Sequence, residues 1–476
     1  MNVNHSSTLE DDTFENEEEE NEYEKLLKRN EEAKLELLKE LGALHGIDVN
    51  EQVIKPKTQP VKKTNKRINS LQSNEPIRKS PRLSKILIEN ASQNIKETVQ
   101  ELKEEPQLRR TFFQGPEHMV KVSDDMEDVK PSLQDLIPYF KEVPDGVTAR
   151  SIQKSLDEFK NSLKKFTISP EYVRKVGTTK THSLLIHPSE SKLLIITGDA
   201  AGYLSFWDVE NHNAEVEIYR PHKNPVFCVS LCISNPLKLF ATAIDGVVRS
   251  CDLEKMEFND IYVTEDHTTY HAQMSPYTLL VAHGCGDVGV VDTRESKNPT
   301  SWIECHSRSV RTIQPHPLNE NEFVTSSGVG EVGIWDIRGR KKQKPLLLLP
   351  HPKGLKSAFF SPGGGMLLTS CNDDKIRIFA ADKNYLMMCK SHNMQTGRWL
   401  RPFQAMWHPS RDDAFIIGSL NRPRQVDICG IHGLTLHSLK SPHLNTVLSN
   451  CHFHKSRPVI AGANSSGYVH VFKGLG

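Results

Sequence analysis

The chain has 476 residues, 37% of them hydrophobic, and balances 60 Lys and Arg against 60 Asp and Glu. That length accommodates one large domain plus extensions. It holds no apolar run long enough to span a bilayer and no signal peptide at its acidic start, so neither a membrane partner nor a secretory leader is expected.

The zero net charge hides segregation. Glu10 to Glu24 carries ten acidic residues and no basic one, and residues 1–22 read as an acidic disordered tail. Residues 23–46 read as an amphipathic helix, with Tyr23, Leu27, Leu37, Leu41 and Leu44 at helical multiples and Gly42 and Gly46 to stop it. Two readings stay open for it: a solvated charged helix, or one that binds a partner through its leucine stripe. Residues 47–130 form a basic low-complexity linker, in which Lys55 to Lys85 holds ten basic residues and one acidic, Glu75. Lys62, Lys63, Lys66 and Arg67, with Arg78, Lys79 and Arg82, are the density expected of nuclear import signals. Ser80-Pro81 sits among them as a candidate phosphosite. Residues 131–165 predict a helical hairpin: Leu133, Leu136, Ile137 and Phe140 form one stripe, Ile152, Leu156, Phe159 and Leu163 another, with Pro144 and Gly146 between.

From residue 166 onward the chain repeats itself. The repeat is clearest in His306 to Arg338, where three short alternating runs are separated by a His-Pro turn and a glycine turn and end in Trp335-Asp336. Equivalent positions are Trp207, Cys251, Val291, Trp335, Phe379, Cys429 and Phe472, spaced 44, 40, 44, 44, 50 and 43 residues apart. A period near 40–45 residues ending in Trp-Asp marks a blade of a WD-repeat β-propeller. Asp follows the key position as Asp208, Asp252, Asp292 and Asp336, but Ala380, Gly430 and Lys473 replace it in the last three units. The fold class is therefore all-β, a seven-bladed WD-repeat propeller over residues 166–476, with a largely disordered, partly helical N-terminal extension. The last unit stops at its third strand, so its outer strand must come from Phe166 to Val176, or the ring ends in an unpaired edge.

Nothing in the repeats has the spacing of a catalytic set, so no enzyme is expected. The histidines His187, His222, His316, His351 and His408 fall at blade entries or a–b turns, where WD-type repeats use them structurally. All nine cysteines lie in the propeller, which suits buried thiols in a reducing compartment. Cys451-His452-Phe453-His454 lacks a second paired ligand motif, so no metal and no cofactor is expected.

What the repeats offer is two rims. The d–a and b–c connections share one, and cations recur there: Lys180, Lys223, Arg308, Lys353, Lys356, Arg398, Arg401, Arg422 and Arg424. A positive collar suits a polyanion such as DNA, the alternative being solvated charges that bind nothing. The 50-residue interval lengthens one of these connections and places Trp399 and Leu400 between Arg398 and Arg401. An apolar wedge among arginines is a device for opening base steps. The other reading is a Trp399 lid over the propeller core. The opposite rim carries Asp292-Thr293-Arg294 and Asp336-Ile337-Arg338, in which Asp can orient Arg toward a partner's carbonyls or carboxylates.

The run Thr396-Gly397-Arg398-Trp399-Leu400 through Ala405-Met406-Trp407-His408-Pro409 resembles the blade-six entry of the small subunit of the UV-damaged-DNA-binding complex. It is more similar still to that subunit's relatives, the changed-mutation-rate WD-repeat proteins. Gly418 to Arg424, Ala461 to Gly467, the Tyr23 helix and Arg78-Lys79-Ser80-Pro81-Arg82-Leu83 support the resemblance. It implies a nuclear DNA-binding protein of the DNA damage response. It also implies docking through Arg294 and Arg338 to the large-subunit adaptor of a cullin 4 ubiquitin ligase, as a substrate receptor. In the damage-binding subunit a Phe-Gln-His tip probes the lesion; here those positions are Gly397, Arg398 and Trp399, which implies general or differently selective DNA binding. The rival reading is a non-enzymatic scaffold for histones or acidic proteins.

Overall fold

Short alternating runs joined by tight turns leave each repeat with two apolar faces, and the fold buries both by stacking copies in a ring. The structure, a computed structural model, describes residues 116–122, 132–143, 155–294, 299, 301–339, 344–397 and 399–474. It is a seven-bladed β-propeller. Blade one comprises Thr181–Ile186, Leu194–Asp199, Leu204–Asp208 and Glu217–Tyr219, and the antiparallel pattern repeats through blade six, Met406–Trp407 to Thr435–Lys440. The first strands of successive blades touch one another around the central channel, and each sheet then runs outward in chain order. Blade seven, Asn450–Phe453, Val459–Ala463 and Tyr468–Gly474, takes its outer edge from Phe166–Thr167 and Val173–Lys175.

The core is a circle of junctions. Seven hydrophobic clusters are described, each drawn from two adjacent blades, such as Val324, Val332 and Ile334 of blade four with Leu355, Ala358 and Phe360 of blade five. Second strands are therefore buried on both faces, as in Leu194–Asp199, while outer strands such as Leu386–Ser391 are half exposed.

Polar links tie the turns together. In blade four, His306 Nε2 lies 2.8 Å from Thr325 Oγ1, which also accepts Trp335 Nε1–H at 2.8 Å. Blade five keeps His351 against Thr369 at 3.0 Å but replaces the Trp by Phe379, packed edge-on at 5.5 Å. The b–c turns need glycine at a left-handed φ: at Gly286 and Gly330 a Cβ would strike the carbonyl of His306 or His351 in the following d–a connection.

Two expectations are corrected. Within the stretch read as a linker, Glu117–His118 forms a fifth strand on blade two, pairing with Phe258 and Glu257. Met119 is buried there, and Glu117 pairs with Arg249 at 3.0 Å. An outer edge with unpaired N–H and C=O groups provides the template. The two stripes of residues 131–165 also do not pack into a hairpin. Leu133, Leu136 and Phe140 join the cluster between blades one and two, whereas Phe159 and Leu163 join that between blades six and seven. Periodicity shows that each stripe is apolar but not which surface it covers. The second helix, Leu156–Leu163, starts at a capping box of Ser155 and Glu158. The acidic tail, the Tyr23 helix, and Lys62, Lys63, Lys66, Arg67, Arg78, Lys79 and Arg82 lie outside the described residues.

The buried histidines make stability sensitive to acid. His187 and His408 accept backbone N–H groups of Ser189 and Ser410 through Nδ1, a bond that requires the unprotonated ring nitrogen. Burial lowers His187, His283, His351, His408 and His470 to about 4, and His271 to about 3, from 6.5. Below about pH 6.5 the unfolded chain binds protons that the folded chain refuses, so stability is full above that pH and is lost as pH falls toward 4. Each such histidine contributes on the order of 1 kcal/mol per pH unit in that window. Thermal melts should hold constant from about pH 7 to 8 and drop steeply between about pH 6 and 4.5; a flat profile would refute the assignment.

Candidate nucleic-acid interface

The long connection between blades five and six is fastened at both ends. On its entry side Met394 is buried, and its N–H donates to Asp374 Oδ1 at 2.7 Å. Gln395 Nε2 donates to the same carboxylate at 2.9 and 3.1 Å. These bonds hold Asp374 below the usual carboxylate range. His392 Nε2 lies 2.8 Å from the Gly418 carbonyl. On the exit side Phe403 is buried and Leu400 packs partly against the cluster between blades five and six. Between these anchors the chain turns at Gly397, whose φ is 62°, and presents Trp399, 74% exposed.

The predicted cationic residues do not all meet. Lys223, Arg308, Lys353 and Arg422 are exposed on the d–a and b–c connections, and Lys180 is half-buried there. Arg424 is half-buried and donates to the Leu420 carbonyl at 2.8 Å. Lys356 lies in the wall of the central channel. Arg401 is a correction: it is 8% exposed and lines the channel interior, not the open rim. Successive residues Trp399, Leu400 and Arg401 thus face solvent, core and channel, a consequence of ring geometry that linear spacing does not reveal. Leu400 accordingly leaves the apolar tip to Trp399. Arg398 lies outside the described residues. Three acidic groups on this rim are engaged internally: Asp245 with His222, Glu331 with His306, and Asp373 with Arg377.

On the opposite rim the two Asp-x-Arg motifs have the same geometry. Arg294 Nε and Nη2 donate to Asp292 at 3.0 and 2.6 Å, and Arg338 does so to Asp336 at 3.0 and 2.6 Å. The backbone N–H of each arginine also bonds its aspartate, at 2.9 and 2.8 Å. The Arg294 fork holds Asp292 at a pKa of about 2, and Arg338 lowers Asp336 likewise. Arg294 lies over the Tyr277 ring at 4.6 Å. Both guanidinium groups are more than half exposed, at 61% and 69%. The accessory helical pieces sit on this same rim: Glu142 contacts Ser189 in the first a–b turn, and Phe159 contacts His408 in the sixth. They leave the blade-three and blade-four arginines uncovered.

No family model matches the chain. It is 34% identical over 333 residues to WD repeat-containing protein 76 of Xenopus laevis and 33% identical over 330 residues to that of Mus musculus, each match covering 67% of this chain. It is 25% identical over 344 residues to DNA damage-binding protein cmr1 of Aspergillus terreus, covering 62% of this chain and 64% of that protein. The chain is homologous to the changed-mutation-rate WD-repeat proteins. It spans little more than half the length of the vertebrate relatives, 57% and 53%.

Asp374 is the residue that a reading of the sequence passes over. It occupies the b–c turn position that glycine holds in most blades, with φ of 61°, and uses its side chain to fasten the Trp399 loop. The signal was a missing turn glycine in the blade that precedes the long connection. Asp374→Gly suits the backbone conformation and deletes only the anchor. Hydrogen exchange at the Met394 amide should accelerate roughly tenfold or more, the loss of a bond worth about 1.5 kcal/mol to a charged acceptor, while the melting temperature barely moves. Unchanged exchange would show that the loop is held otherwise.

Proposed function

We propose that the chain is a nuclear DNA-binding protein of the DNA damage response, and that it docks as a substrate receptor onto the large-subunit adaptor of a cullin 4 ubiquitin ligase. The observation that carries the DNA reading is Trp399, 74% exposed on an anchored loop above a rim where Lys223, Lys353 and Arg422 are exposed. Lysines and arginines supply non-specific, salt-sensitive attraction to phosphates; an aromatic face adds stacking that salt does not screen. The cmr1 relatives named as DNA damage-binding proteins support the same reading. No catalytic role is assigned.

Docking on the other rim is supported by the paired arginines. Each aspartate presents its guanidinium as a preformed donor, so binding costs little side-chain ordering. The two repeats place equivalent arginines on adjacent blades of a surface left open by the accessory helices. The rival reading, a scaffold for histones or acidic proteins, predicts partners that survive nuclease treatment.

Trp399→Ala should weaken duplex binding by about tenfold or more, from the loss of roughly 1–3 kcal/mol of stacking, with the slope of log affinity against log salt unchanged. Arg422→Ala should lower that slope by about one unit instead. Fluorescence anisotropy across a salt series, beside a thermal melt, measures both; a Trp399 variant that binds DNA normally removes the wedge.

Arg294→Ala combined with Arg338→Ala should abolish co-purification of the adaptor while leaving the melting temperature close to the parent's, since both side chains stand on an open rim. A folded double variant that still captures the adaptor would end the docking assignment.

A further inference from the structure

The central channel contains a charge that the described protein groups do not neutralise. Arg401 enters it from the segment between blades five and six and is 8% exposed. The groups within its electrostatic reach come from four other blades: Lys180 and His182 of blade one, Cys228 of blade two, Tyr270 of blade three and His452 of blade seven. That set of neighbours puts the guanidinium near the channel axis, and it contains no carboxylate. Nη1 is enclosed and has no hydrogen-bond partner. Nη2 reaches only Gln404 Oε1, at 3.5 Å. A guanidinium has five N–H donors and keeps its proton, so an isolated one inside a protein calls for a counter-charge. Its own pKa falls to about 10 through burial, which marks the same shortage.

Two more cations face the same space. On the d–a side of Arg401 lies a cavity of about 170 Å³, lined by Arg311, Lys356, Gln404, Tyr270 and His182. Burial, and then the neighbouring Arg311, lower the pKa of Lys356. Gln404 Nε2 donates to the Lys356 carbonyl at 3.4 Å, which orients its Oε1 toward Arg401. Three cationic side chains from blades four, five and six therefore converge on a concave, carboxylate-free site with phenol and amide groups beside them.

We propose that this cavity binds an oxyanion of the phosphate class, held by Arg401 with Lys356 and Arg311. Its planar fork matches two oxygens of such an anion, and the lysine supplies a point charge to a third. The site is separate from the proposed DNA surface: Trp399 faces solvent outside the channel, whereas Arg401 is enclosed within it. The same chemistry comes from a free phosphate or from a phosphorylated side chain inserted by a partner.

The test uses the full chain without DNA, at ionic strength held constant with chloride. Inorganic phosphate, a tripeptide with central phosphoserine, and acetate are titrated calorimetrically and in thermal melts against the parent, Arg401→Met and Lys356→Met. Inorganic phosphate should bind the parent and raise its melting temperature. Binding should be abolished in Arg401→Met and weakened roughly tenfold in Lys356→Met, which keeps the comparison valid if the deeper substitution does not fold. Tighter binding of the peptide assigns the site to a phosphorylated side chain; equal or weaker binding assigns it to a free anion. A parent that responds to neither phosphate compound, a Lys356→Met variant that responds as the parent does, or acetate matching phosphate would overturn the proposal.

Discussion

Closure of the ring is the constraint on which everything else rests. Each hydrophobic cluster belongs to two neighbouring blades, so no blade possesses a complete core of its own. At the last junction Val173–Lys175 pairs with Tyr468 to His470 and brings the chain's upstream segment onto its final blade. Hydrogen bonding and burial are thereby coupled across nearly the whole domain: the segment that pairs with the edge of blade seven also supplies Val176 to the core between blades seven and one. The channel, both rims and the relative placement of every connection are products of that closure.

The rims then diverge through small local substitutions. On one, a turn glycine becomes Asp374, and a connection that would otherwise hug its neighbour is drawn out and tied down. On the other, Asp292 and Asp336 end their strands in the same way and hold Arg294 and Arg338 in matching poses. Accessory segments settle over blades one, two, six and seven, where apolar gaps receive Leu133, Phe140, Phe159 and Leu163. The rest of that surface keeps its charged character. A repeated scaffold thus acquires two unlike faces through its turns, its connections and the segments laid over it.

The repeat was readable from sequence because each blade needs the same things at the same interval: a glycine turn, a buried third strand, a polar exit. The excess length before Phe403 was readable for the same reason, as a departure from an interval that packing otherwise enforces. Arg401 was misplaced because spacing along a strand entry does not say whether a side chain looks outward or across the ring; that depends on blades hundreds of residues away. The helical hairpin failed similarly. Its stripes were apolar as expected, but their partners are set by gaps between blades. Asp374 escaped notice because an acid in a turn is unremarkable until its left-handed backbone is seen.

The exposure of Trp399 has an optical consequence. Of the five tryptophans, Trp207, Trp335 and Trp407 are buried and Trp302 is half-buried, each within or beside a blade junction. Trp399 alone stands mostly in water. Its emission belongs at the red edge of the spectrum, and a collisional quencher dissolved in the buffer reaches it before the others. The molecule therefore carries an intrinsic probe at the tip of its longest connection, one that reports that loop's surroundings without a label and is separated from the bluer emission of the buried tryptophans by its colour and its access to quencher.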